Sequence, residues 1–229
     1  LDKNIKLKSR EYYLKKSDEF ILRFEKYINT FFKKLPKVYF MRHGRTKIKP
    51  NIFLGQNINP DIIKIKPNYN KFTGIKKCYS SPLKRSLSTA EKYYKGKIIT
   101  DKNLYEIDYG LLEGKNFDYL LQNHENLIKK WNRKIDARFP YGENNTDVMF
   151  RLKNFLNVIR TEIFNENTLV LSHNVVLRCL IGNHFNTPKN LWFKIKVKYL
   201  ESFEFVMFNK KMISNINRKK LLLVYKDIK

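Results

Sequence analysis

An α/β fold, built on a mostly parallel sheet flanked by helices, is the architecture that this 229-residue sequence predicts. Three stretches predict it. Val38-Tyr39-Phe40-Met41 is a short, continuously apolar run that breaks off at Arg42-His43-Gly44. A strand apolar at every position suits a sheet covered on both faces. Thr168-Leu169-Val170-Leu171 repeats that pattern, ends at Ser172-His173 and runs straight into an apolar helical stretch. Between them, Lys77-Cys78-Tyr79-Ser80 is followed at once by Ser81-Pro82, a strand-to-helix start. Strands that alternate with helical patterns belong to parallel sheets.

The totals agree with one such domain and an extension. Hydrophobic residues make up 42%, with 14 Tyr and 17 Phe, so the chain can bury a sizeable core. No apolar run approaches the ~18–20 residues of a membrane-spanning helix. Cys78 and Cys179 are far apart in apolar settings, as buried reduced thiols are, which favours an intracellular compartment, cytoplasmic or organellar. The chain begins at Leu1 with no apolar signal core; processing of an organellar presequence, mitochondrial for example, or a trimmed boundary fits. Charge is the odd quantity. Residues 1–50 carry +10 and residues 189–229 carry +8 of the formal +26. A lysine-rich composition accounts for this as a solvated surface. The competing reading is a polyanionic partner, RNA or an anionic surface, at the basic termini.

Taken in order, residues 1–36 form a basic amphipathic helical extension and residues 37–229 the main domain. Ser17 caps the extension's helix, and Phe20, Ile21, Phe24, Tyr27, Ile28, Phe31, Phe32 and Leu35 recur at helical spacing before Pro36. The strand over 37–42 leads to a polar loop, and 61–74, with Pro67 and Gly74, has no clean period. After the strand 77–80, a helix capped by Ser81 turns Leu83, Leu87, Ala90 and Tyr94 inward. Residues 97–100 make a third strand. Helices follow over 116–134 and 145–165, then the strand 168–172 and a helix over 174–185. Beyond 190, Phe193, Ile195, Val197 and Tyr199 alternate with lysines, and strand-like runs at 202–208 and 220–225 complete an antiparallel edge.

Two strands therefore deliver a histidine each to their carboxyl ends, where ligands of open α/β sheets collect. Arg85 lies in the first turn of the helix after Ser81-Pro82, near the positive end of its dipole. Leu104–Gly114 offers the carboxylates Glu106, Asp108 and Glu113 in a loop over the same edge. Each feature alone is weak; the ordered set is not. Arg42-His43-Gly44, Ser81-Pro82-x-x-Arg85, Leu104-x-Glu106 with Gly110 and Glu113-Gly114, Pro140-x-Gly142-Glu143 with Asp147 and Arg151, and Ser172-His173 together resemble the histidine phosphatase superfamily, the phosphoglycerate-mutase-like clan. The resemblance covers about residues 37–185.

That resemblance implies a three-layer α/β fold and a cofactor-independent phosphomonoesterase working through a phosphohistidine, with no metal. It implies His43 as nucleophile, Glu106 as proton donor, and Arg42, Arg85 and His173 as the clamp on the phosphoryl oxygens. Arg45, Thr46 and Asn174 stand beside these as substrate-binding candidates. Here Arg45-Thr46 replaces the Glu-Thr common after Arg-His-Gly, and Asn174 replaces a common glycine. Asp108 is the alternative acid. Glu113 and Glu143 read as structural carboxylates, Asp147 and Arg151 as an i, i+4 pair, and His124 and His184 as ordinary helix residues. A phosphoglycerate-type mutase is the nearer rival; the short span between Gly114 and Pro140 favours hydrolysis. The rival from another class is a repurposed scaffold whose basic ends hold RNA in a large assembly such as an organellar ribosome.

Overall fold

A computed structural model of the chain describes residues 33–49, 51–68, 72, 74–162, 166–208 and 211–214, together with Lys16, Glu19, Arg23, Thr30 and Phe31. The chain divides into two compact units, Leu1–Leu35 and Pro36–Lys229. In the first, Lys16, Glu19, Arg23, Thr30, Phe31, Lys33 and Lys34 are helical. Most of the aromatic stripe expected there, and the strand expected over 220–225, lie outside the described residues.

The sheet of the second unit contains β1 (Lys37–Arg42), β2 (Ile75–Ser80), β3 (Ile98–Thr100), β4 (Asn167–Ser172), β5 (Ser202–Phe208) and β6 (Lys211–Ser214), in the order β3-β2-β4-β1-β5-β6. The first four in that order run parallel, and β5 and β6 add an antiparallel edge. The helices are α1 (Lys84–Tyr93), α2 (Phe117–Asn123), α3 (Glu125–Asn132), α4 (Asn145–Glu162) and α5 (Asn174–His184).

The pleat sends alternate side chains to opposite faces. Val38 and Phe40 of β1 join Val170, Phe205 and the inner faces of α4 and α5, including Leu152, Phe155, Leu177 and Leu180. Tyr39 and Met41 point the other way, into a smaller cluster with Cys78, Leu169, Leu171 and Ala90 of α1. Three layers result. Double-sided burial is why the runs in β1 and β4 are continuously apolar. Both cysteines are free and buried, and no helix among the described residues is long and apolar enough to cross a membrane.

Four local expectations need correction. Ser81 is not the cap of α1: the helix starts at Lys84, where the Leu83 carbonyl accepts from Ser86 and Leu87, while the Ser81 hydroxyl accepts the Leu83 N–H at 3.3 Å and lies 2.8 Å from His173 Nε2. The face α1 buries is accordingly Arg85, Ser86, Thr89 and Ala90, mostly polar, because it borders the site. The single helix expected over 116–134 breaks at His124 (φ −134°, ψ 46°), where α2 has ended and α3 begins. The alternation at 193–199 is no strand: Lys189–Lys194 is a 3₁₀ helix, and only Ile195 and Val197 of the apolar set are buried. On the side away from β1, β5 pairs with β6 at Lys211–Ser214, a strand that the apolar pattern did not mark.

Candidate active site

Register alone assembles the centre. Arg42 pairs with Ser172 and Ser80 with Leu171, so Ser81, His173 and His43 follow side by side off the ends of β2, β4 and β1. The backbone continues that order: His43 N–H donates to Ser172 O at 3.1 Å and Ser81 N–H to Leu171 O at 3.0 Å. The two imidazole rings lie 5.0 Å apart, centroid to centroid, at 57°.

His43 Nδ1 is 2.7 Å from the carbonyl oxygen of Gly44. A carbonyl only accepts, so the proton sits on Nδ1 and the lone pair on Nε2. Burial, then the charges of Arg85 and Arg42, hold His43 well below the usual imidazole range, and it stays neutral. Gly44 is itself held by Thr89 Oγ1, which accepts its N–H at 2.9 Å. An added Cβ there would lie 3.3 Å from Ile65 Cγ2, so close packing, not a left-handed turn, favours glycine at this position.

His173 is fully buried, and Ser81 Oγ lies 2.8 Å from its Nε2. Burial, then Arg85 and His43, also depress its basicity well below the usual range. Arg42 donates from Nη1 to Val197 O at 2.6 Å, and its guanidinium lies 4.0 Å from the centre of the Tyr199 ring. Arg85, with no exposed surface, donates from Nη1 and Nη2 to the carbonyls of Ile58, Leu54 and Gly55. Three buried side-chain nitrogens here have no hydrogen-bond partner among the described residues: Arg42 Nε, Arg85 Nε and His173 Nδ1. Buried polar groups are normally satisfied. Unpartnered nitrogens gathered on two cations and a neutral imidazole form a cradle for an anion's oxygens.

Glu106 enters from the loop after β3. Its Oε1 accepts from the N–H groups of Ile107 (3.0 Å) and Val175 (3.1 Å). Burial raises its pKa; the Ile107 N–H and the charges of Arg85, Arg42 and Arg151 offset only part of that. The loop is clamped from behind. Arg151 pairs with both oxygens of Glu143 (2.9 and 3.0 Å) and donates to the carbonyls of Asn103, Tyr105 and Glu106. Glu143 in turn accepts the Asp108 N–H at 3.0 Å, and Ser172 Oγ donates to Leu104 O at 2.9 Å. At the loop's turn Gly110 has φ +52°, and a Cβ there would strike the Pro140 carbonyl.

Arg42, His43, Arg85, Glu106 and His173 are thus brought together. Arg45 and Thr46 are not joined to them by any side-chain hydrogen bond among the described residues: Arg45 is exposed, and buried Thr46 bridges Ile62. Asn174 opens α5 beside His173, with a buried, unpartnered Oδ1. Asp108 turns its Oδ1 to the Gly110 N–H, a loop contact. Glu113 holds Asn57 and Ile58. Asp147 pairs with Arg138, so the expected Asp147–Arg151 pair does not form. Sequence reading missed Tyr199, Tyr109, Gln56 and Arg178. Arg178 had a signal, a lone cation inside the apolar run Val175–Ile181; Tyr199 had none. Two surface cavities of about 540 and 410 Å³, lined in part by Lys115 and by Lys130, include none of the five clustered residues.

Comparison with known proteins follows the same lines. The family model described as "Histidine phosphatase superfamily (branch 1)" matches residues 65–213, downstream of Arg42-His43-Gly44. The probable phosphoglycerate mutase GpmB of Escherichia coli O1:K1 is 30% identical over 163 residues, covering 66% of this chain and 76% of that protein. Among solved structures, Bacillus stearothermophilus YhfR superposes with a TM-score of 0.67 at 21% identity, over 80% of this chain and 96% of the other. Entamoeba histolytica phosphoserine phosphatase, in complex with 3-phosphoglyceric acid, gives 0.66 at 18% identity, over 79% and 95%. At such identities the two structures speak for the fold.

Proposed function

Because the chain belongs to the histidine phosphatase superfamily, branch 1, we propose that it hydrolyses a small phosphomonoester through a phosphohistidine on His43. The observation that carries this reading is the cradle of Arg42 Nε, Arg85 Nε and His173 Nδ1, buried and unpartnered among the described residues, on two guanidiniums whose charges act on His43 and an imidazole 5.0 Å from its ring. In the first step the Nε2 lone pair of His43 attacks phosphorus and the ester P–O bond breaks. Phosphoryl transfer needs positioning and cations on the equatorial oxygens more than covalent help from the protein. Here Arg42, Arg85 and the uncharged His173 supply those donors. The leaving alkoxide takes a proton from Glu106, which its raised pKa keeps available. In the second step water attacks the phosphohistidine, Glu106 takes the water's proton, and inorganic phosphate leaves with His43 restored.

The two shifts make this cycle workable. With ordinary values, of about 6.5 for His and 4.3 for Glu, neutral imidazole and protonated carboxyl barely coexist. Lowering His43 and raising Glu106 both shift the balance toward the pair of forms the cycle requires. The test is turnover of an aryl phosphate by the wild type and His43→Ala, with acid-labile phosphate trapped on the protein. Turnover and labelling that vanish in His43→Ala support the reading; a wild type without either overturns it.

The GpmB relative motivates a mutase as a second reading. The 114–140 segment holds only the short α2 and α3, so little is present to sequester the phosphohistidine from water. Transfer to a hydroxyl acceptor in preference to water would favour the mutase. The basic termini would add a steeply salt-dependent affinity for RNA or another polyanion, read from binding over a salt series.

A further inference from the structure

Residues 197–201 form a turn fastened to Arg42 along both its backbone and its side chain. Arg42 N–H donates to Glu201 O at 3.0 Å, and Leu200 N–H donates back to Arg42 O at 3.2 Å. The guanidinium reaches Val197 O through Nη1 at 2.6 Å and lies 4.0 Å from the centre of the Tyr199 ring. The turn is also closed on itself: Lys198 N–H donates to a Glu201 carboxylate oxygen at 2.7 Å, and Glu201 N–H to Lys198 O at 3.1 Å. Leu200 sits at φ +60°, a left-handed backbone that leucine adopts only where its surroundings impose it. The two-way bonding to Arg42 imposes it here, and the Leu200 side chain packs on the smaller core cluster.

That strained turn presents Tyr199. Its ring meets the Arg42 guanidinium and also lies 5.8 Å, centroid to centroid, from the His43 ring. Arg42 forms no ion pair among the described residues, and burial lowers its pKa from the usual guanidinium value. A carboxylate partner would steady the charge, but it would take up N–H donors and repel an incoming anion. An aromatic face attracts the cation without accepting those directed hydrogen bonds. Arg42 Nε, buried beside it, keeps its N–H unclaimed among the described residues. We propose that Tyr199 is a positioning residue: its ring, held out by the 197–201 turn, fixes the Arg42 guanidinium beside His43, so that Nε meets a phosphoryl oxygen already ordered. This role rests on the phosphatase reading above, in which Arg42 belongs to the clamp.

Calorimetric titration with inorganic phosphate reads the clamp without turnover. Tyr199→Leu keeps apolar bulk and removes the ring face; it should weaken phosphate binding about three- to tenfold, the cost of ordering one long side chain on binding. Tyr199→Phe keeps the face and should stay within about twofold of wild type. In an Arg42→Gln background, Tyr199→Leu should change the affinity by less than about twofold, because the residue it acts through is gone. A general loosening of the fold would instead weaken binding equally in both backgrounds. Tyr199 is 41% exposed, so its truncation leaves the core intact, and urea midpoints check that every variant is folded during titration. Equal loss in both backgrounds, no loss, a Tyr199→Phe as weak as Tyr199→Leu, or a wild type that binds no phosphate overturns the role. Phosphohistidine labelling of the wild type is scored separately. Coupling without labelling keeps the positioning role and removes the hydrolysis reading; labelling without coupling does the reverse.

Discussion

Replacing Glu106 by Gln isolates the proton-transfer role, because the isostere keeps a carbonyl oxygen for the Ile107 and Val175 N–H groups that position Oε1. General acid–base assistance contributes about 10²- to 10⁴-fold, or roughly 3–5 kcal/mol of barrier at 1.36 kcal/mol per decade. The loss should depend on the leaving group. An alkyl phosphomonoester needs the proton to depart, so both half-reactions slow. An aryl phosphate such as 4-nitrophenyl phosphate departs without it, so only dephosphorylation slows. Stopped-flow absorbance should then show a burst of one nitrophenolate per site, followed by turnover about 10²-fold or more below wild type. With the alkyl ester, the wild-type basic limb set by ionisation of Glu106 should disappear from the kcat/KM profile. Glu106→Gln turning over an alkyl phosphate within tenfold of wild type would refute the reasoning. The same change bears on stability. A raised folded pKa contributes stability at low pH that is lost as pH rises through it, so the variant should gain on wild type in alkaline buffer.

Three further outcomes follow from the geometry. His43 and His173 have depressed folded pKa values, so stability should fall as pH drops below the unfolded value near 6.5, by about 1.4 kcal/mol per pH unit for each; urea titrations of the double His→Gln variant should show a shallower slope, and an unchanged slope would count against neutral burial. Arg151→Met strips the 103–106 loop of its clamp and leaves Glu143, 19% exposed, without its guanidinium; discounting for that exposure, denaturation should report a loss of about 2–4 kcal/mol together with a lower kcat, and a loss under 1 kcal/mol would be inconsistent. Gly110→Ala combines a positive φ with a collision at Pro140, so it should cost more than the ~1 kcal/mol of an ordinary left-handed alanine, measured as a fall in Tm.

Much of the sheet was legible because burial on both faces leaves a local trace, the continuous apolar runs of β1 and β4, and a histidine at each strand end. Long-range consequences left less. Ser81-Pro82 has the composition of a helix start, but the hydroxyl accepts from Leu83 N–H, ahead of the helix, and is shared with His173, a partner 92 residues away that local pattern does not contain. Asn116 does cap α2, accepting from Tyr119 N–H at 2.8 Å, yet the apolar period runs on through Leu127 and conceals the break at His124. Lysine alternation at 194–198 reports exposure, which a 3₁₀ turn and an extended segment satisfy as well as a strand. Arg151 illustrates the limit best. At i+4 from Asp147 it has a local partner available, but Glu143 offers both oxygens in a half-buried setting, where a bidentate pair is stronger. At the site, the residues proposed as nucleophile, acid and clamp were read from ordered motifs, whereas Tyr199 lies over Arg42 and Arg178 is held by the Ile195 carbonyl through the folding of 195–201, a segment with no motif.

The central claim is that phosphorus bonds to one nitrogen of one histidine. Rapid acid-free quenching of Glu106→Gln during turnover of 4-nitrophenyl phosphate, followed by peptide mass spectrometry and ³¹P–¹H correlation, locates it. The account predicts a single phosphoryl group on the peptide carrying His43, attached at Nε2, because Nδ1 is committed to the Gly44 carbonyl. Phosphate on His173, on Nδ1 of His43, or on no histidine at all while hydrolysis proceeds, would contradict it.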